Sequence, residues 1–183
     1  MVPLTALWLP ILLSAIFVFI MSNILWMVLP FWHHGDYGRL PDEATVLGAL
    51  KDAKSGQYIA PHVNWSKLTP EEREAHTQKP MAFMLVRNPA AFSMASALIS
   101  WLVTLLVISI LIAYVAASTL PPGTHYRAVF RVVGTAGILA YAFWTISDSI
   151  WYGKPWSVTL KFVIDGVIYG LLTAGTFGWL WPR

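Results

Sequence analysis

The stretch Lys161-Phe162-Val163-Ile164-Asp165-Gly166-Val167-Ile168-Tyr169-Gly170, continued through Ala174 to Gly178, decides the fold. Gly166, Gly170, Ala174 and Gly178 recur every four residues, which places them on one face of a helix. Such a smooth face lets a second helix backbone approach closely, the usual packing device of membrane helices. Lys161 and Asp165 lie in the same apolar run. Ionisable groups inside a span are costly and need a partner or a task.

The rest of the chain follows the same solvent logic. Of its 183 residues 57% are hydrophobic and only 11% charged, against about 25% charged in an ordinary soluble domain. The apolar residues fall into four runs long enough to cross a bilayer: 1–32, 91–118, 127–152 and 155–181. The sequence therefore predicts an all-α integral membrane protein, four helices in an antiparallel bundle. A small extramembrane α+β insert, 33–90, separates the first two spans. The first run lacks the basic leader and small-residue cleavage site of a signal peptide.

Inside the insert, Pro41 opens a helix over Asp42 to Ala53, and Thr69-Pro70-Glu71-Glu72 carries the signature of a capped helix start. Gln57 to Ala60 and Met81 to Val86 read as strands that pair with each other.

Charge excludes some partners. From His33 to Pro89 the Lys/Arg and Asp/Glu residues balance, and the excess of +3 comes from residues beside or within the spans. A nucleic-acid partner would need a basic cluster on a soluble face. The expected partners are the lipid bilayer and either a second copy of the chain or another membrane subunit. Arg39, Lys79, Arg87 and Lys154 near span ends favour a cytoplasmic insert in a bacterial inner membrane. Trp26, Trp32, Trp144, Trp151, Trp156, Trp179 and Trp181 cluster at span ends and read as an interfacial aromatic belt.

Three groups of residues carry the functional expectations. The first is packing: Gly166, Gly170, Ala174 and Gly178, with Ser96 and Ser100 at the same spacing in the second span. These make an interaction module or accessory subunit of a membrane complex the leading expectation, with no catalytic residue and no cofactor. The second is an intramembrane polar cluster. A hairpin centred on Lys154 sets Asp148 level with Lys161, and Asp165 lies one turn deeper. With Asn23 and Tyr169 lining a path, this cluster suits a small proton-linked carrier. The third is His33-His34-Gly35-Asp36, whose donors suit a divalent metal and hence a metal-dependent membrane enzyme. The chain has no Cys, no phosphate-binding glycine loop and no His-Glu-x-x-His pair.

Overall fold

A computed structural model describes residues 1–87, 90 and 92–183. It is mostly helical, with four helical segments long and apolar enough to cross a membrane: Leu4–Val28, Met94–Thr119, Tyr126–Tyr152 and Trp156–Trp179. The chain divides into two compact units, Met1–Gly38 with Met94–Arg183, and Arg39–Ser93. The residues His33 to Gly38, expected in the insert, belong to the helical unit. The Ala91 start expected for the second span lies outside the described residues.

In the helical unit, α1 (Trp8–Asn23) follows a 3-10 turn at Leu4–Leu7. Pro10 sits in its first turn, where backbone N–H groups have no intrahelical acceptor to lose. The first span does not run straight to Trp32 as expected. It passes into a π-helical turn, Ile24–Val28, closed by Leu29 N–H donating to Ile24 C=O at 3.0 Å. A separate helical turn, α2 (Pro30–His33), then begins on Pro30. Proline lacks an N–H and clashes with the preceding turn, so the helix restarts there.

The longest helix is α5 (Met94–Thr119). It is joined to α1 by polar groups set among apolar ones. The Ser14 and Ser109 hydroxyls lie 2.7 Å apart, and the Trp101 indole N–H donates to Ser22 Oγ at 3.0 Å. The third span is broken into α6 (Tyr126–Ala142) and α7 (Ile146–Tyr152) by a 3-10 turn at Phe143–Thr145. Gly153 ends α7 in the left-handed conformation, φ 71°, which opens the turn into α8 (Trp156–Trp179).

Among the described residues, α6 and α8 make the most extensive helix–helix contact. A Cβ on Gly166 would lie 2.5 Å from Ala142 Cα, and one on Gly170 would lie 2.7 Å from Ile138 N. Gly134 faces Ala174, and Gly178 faces the ring of Tyr126. The glycine stripe of α8 is thus covered along its length by α6 of the same chain. Ser96 and Ser100, by contrast, are exposed on α5.

The Arg39–Ser93 unit contains α3 (Glu43–Leu50), β1 (Gly56–Ala60), α4 (Pro70–Thr77) and β2 (Ala82–Val86). The helix α3 is shorter than the Asp42–Ala53 expected, because Asp42 is its cap and accepts from Thr45 N–H at 3.2 Å. Thr69 and Glu72 exchange both bonds of a capping box at the start of α4. The strands pair antiparallel, with Tyr58 opposite Met84 and Ile59 opposite Phe83. No described residue of this unit is buried.

The close contact of α6 with α8 leads to a direct prediction. Gly166→Leu forces the two backbones apart and destabilises the fold by about 1–3 kcal/mol, read as a lower thermal midpoint in detergent. Gly175→Ala, whose new Cβ comes no nearer than 3.9 Å to Tyr126 Oη, leaves the midpoint unchanged. Equal midpoints for the two variants would show that this backbone contact does not hold α8 in place.

Candidate functional site

The rotation of α8 decides which partners its charged residues meet. Its small face points at α6. At about 100° per residue, Asp165 and Lys161 fall roughly 100–140° around the helix from Gly166. They turn away from α6 and meet residues at the end of the first span.

His33 lies between two carboxylates. Its Nδ1 is 2.6 Å from Asp36 Oδ2 and its Nε2 is 2.8 Å from Asp165 Oδ2. The Trp32 indole N–H donates to the other oxygen of Asp165 at 2.7 Å. Lys161 Nζ donates to the other oxygen of Asp36 at 2.5 Å. A continuous chain therefore runs Lys161–Asp36–His33–Asp165. The side chains of Asp36, His33 and Asp165 are 2%, 5% and 4% exposed, whereas Lys161 is 27% exposed. One end of the chain reaches the surface and the other is buried.

This arrangement needs a proton. An imidazole with carboxylate oxygens at both nitrogens donates to both only as imidazolium, unless one carboxylate carries the proton instead. With neither protonated, a nitrogen lone pair would face a carboxylate lone pair across a hydrogen-bond distance. Trp26 stacks on the His33 ring at 3.9 Å and 14°, and Phe162 meets it edge-on at 5.4 Å. Aromatic faces at that range favour a cation. The π-helical turn carries Trp26 and the restart at Pro30 carries Trp32 and His33, so the break in the first span builds the site.

Burial alone would raise the Asp36 carboxyl, but the bonds from Lys161 and His33 and their positive charges outweigh it and hold it below the usual carboxylate range. Beside this chain, Lys154 donates to Thr145 Oγ1 at 2.8 Å and lies 3.6 Å over the Phe162 ring. Burial lowers the Lys154 ammonium from its ordinary value, against the opposing pull of Asp148 and Asp36.

Asp165 also faces a cavity of about 700 Å³ between α1, α5, α6 and α8. Its walls include Trp26, Trp101, Trp144, Phe162 and Tyr169, with Asn23, Ser22 and Thr104 as polar points. Asn23 donates through its side-chain amide to Phe19 C=O at 2.7 Å.

The predicted site residues are thus redistributed. Lys161 and Asp165 belong to one chain of contacts but are not each other's partners. Asp148 lies half-buried on α7, and among the described residues no ion pair joins it to Lys161. Its neighbour Ser149 is level with Thr159, their hydroxyls 2.6 Å apart, so the depth match holds while the rotation does not bring the charges together. His33 and Asp36 join the cluster, whereas His34 is exposed outside it. Among the described residues no group of three or more His, Asp and Glu is arranged to hold a metal ion. Trp26 and Trp32, read from sequence as interfacial anchors, contact the charged groups directly. The His33-x-x-Asp36 spacing was the available signal for the first link. Nothing in the sequence pointed from residue 33 to residue 165.

The depressed carboxyl of Asp36 fixes the sign of a pH effect. Its stabilising contribution is present above the unfolded carboxylate range, about pH 4, and is lost as pH falls through the lower folded value. Thermal midpoints measured across acid pH should fall in the wild type and flatten in Asp36→Asn. Lys161→Met should cost on the order of 2 kcal/mol near neutral pH. That is less than the 3–5 kcal/mol of a fully buried pair, because the ammonium is partly solvated. An Asp36→Asn variant with the wild-type acid profile would show that the carboxylate is not held by its neighbours.

Comparison with protein-family models, with curated proteins and with solved structures returned no match.

Proposed function

We propose that the chain crosses a bilayer with its four long helices as an antiparallel bundle and works as a small proton-linked carrier. The observation that carries this reading is the Lys161–Asp36–His33–Asp165 chain, which joins a partly exposed ammonium to a carboxylate on a largely apolar cavity. Imidazole can hold a proton at either ring nitrogen or at both, which suits the middle of such a chain. Losing the proton sets a lone pair against a carboxylate and loosens one of the two His33 contacts. Proton occupancy is thereby tied to the position of Asp165 and to the shape of the cavity floor.

The alternative role as an interaction module draws its support from the small-residue face of α8 and from Ser96 and Ser100. Ser96 and Ser100 are exposed on α5, whereas the α8 face is occupied by α6 and is not a surface offered to another subunit. Its work is to set the depth and rotation of Asp165.

Proteoliposomes with an entrapped pH-sensitive dye test the carrier role. Three isosteric probes are added in turn: 1-naphthylmethylamine, 1-naphthylmethanol and 1-naphthoate. Proton movement with at least one probe should be faster in wild-type vesicles than in vesicles carrying Asp165→Asn. Passive proton carriage by the amine or the acid is the same in both, so the difference between proteins is the readout. Identical traces for all three probes would overturn the carrier role.

A further inference from the structure

We propose that the cavity between α1, α5, α6 and α8 is a binding site for a protonated, lipophilic amine, and that amine and proton compete for Asp165. The inference rests on the proton-linked reading and names its substrate class.

Charge complementarity points to a cation. With one proton on the Lys161–Asp36–His33–Asp165 chain, its two positive and two negative groups balance. Without that proton the chain carries one uncompensated negative charge in a dry setting. Among the described residues, Asp165 is the one charged residue on the cavity wall. A monovalent cation placed there restores the balance that the proton supplied. The charged groups nearby do not supply it. Lys161 is already bonded to Asp36. Lys154 lies at Thr145 and over the Phe162 ring and feels both Asp148 and Asp36, so adding Lys154 together with Asp148 leaves the same single negative charge. The remaining titratable groups on the wall are Tyr141 and Tyr169, and α1 and α5 contribute no charged side chain at all.

The walls favour an organic cation over a hydrated inorganic one. Trp26, Trp101, Trp144, Phe162 and Tyr169 surround the space, and aromatic faces attract cations held within about 6 Å. A volume near 700 Å³ suits a body of drug size rather than a bare ion. Trp26, Met94 and Trp144 are 43%, 54% and 61% exposed, so the cavity opens on the outer surface of the helices, where a lipophilic molecule would arrive.

A polar point on the wall suits an N–H on that ligand. Tyr141 lines the cavity and is only 6% exposed. Its hydroxyl has Thr173 beside it but no partner at full hydrogen-bond geometry among the described residues, so its oxygen is left able to accept. An ammonium ligand donates one N–H to Asp165 and another to Tyr141 Oη, leaving the aromatic rings to its apolar body. A neutral alcohol provides the hydroxyl partner without the charge, and a carboxylate repels Asp165.

Equilibrium dialysis of the full chain in nanodiscs, corrected by empty nanodiscs, distinguishes these cases with the same three naphthyl probes. 1-Naphthylmethylamine should bind saturably at about pH 8, and its affinity should fall at least about tenfold by about pH 5, where protons compete for the same charge. The alcohol and the carboxylate should show no saturable component. Asp165→Asn should abolish amine binding. Tyr141→Phe, which removes only the hydroxyl and keeps the buried ring, should weaken it several-fold. Equal saturable binding of amine and alcohol, or amine binding that does not change with pH, would overturn the proposal. If saturable binding goes to the alcohol while the proton-flux difference persists, the substrate class is wrong and the carrier role stands. If the flux difference is absent while pH-dependent amine binding persists, the site stands and the carrier role falls.

Discussion

The rest of the helical unit depends on one steric constraint, the contact of the α8 backbone with that of α6 at Gly166 and Gly170. A side chain at either position would overlap Ala142 or Ile138 backbone atoms. Close approach fixes two quantities together. It fixes depth, because Gly134, Ile138 and Ala142 must stand opposite Ala174, Gly170 and Gly166. It also fixes rotation, because the small face can point only one way. Once α8 is turned to α6, Asp165 and Lys161 have no choice but to face the end of the first span. The polar chain is in that sense a consequence of where three small side chains lie.

The polar chain in turn explains irregularities that would otherwise look like defects. A straight first helix would set Trp26 and His33 on one face, about 10 Å apart along the axis, with Trp32 about 100° away from them. The π-helical turn and the restart at Pro30 instead place Trp26 over the imidazole, Trp32 against Asp165 and Asp36 beside Lys161. Local departures from regular helix are often found where side chains must be aimed at one another. Buried charge is tolerated here because nearly every polar atom of the chain has a partner.

Some elements were legible in the sequence for reasons that stay local. Thr69, Pro70 and Glu72 specify a helix start through bonds made within four residues, and the structure has them. The β1–β2 pairing needs only two short apolar runs and a connection between them. The hairpin of the third and fourth spans is set by a short turn at Gly153, so relative depth along it followed from counting. Rotation did not follow. Asp148 and Lys161 were level but not facing, since counting along a hairpin fixes height and says nothing about azimuth. The link from His33 to Asp165 crosses more than a hundred residues of chain, and no periodicity records it.

Sequence by itself determined the number of long apolar helices, the caps of the short elements and the residues able to approach closely. Each of those depends on near neighbours in the chain or on total apolar length, and both are written directly in residue order. Only the tertiary structure decided that the glycine face is used within the chain, that Asp36 rather than Asp148 answers Lys161, and that His33 stands between two carboxylates beside a cavity. Those outcomes depend on how α8 is rotated and where the first span breaks. Both are settled by steric fit between elements distant in sequence, and a side chain's partner across a helix interface is fixed only when that fit is complete.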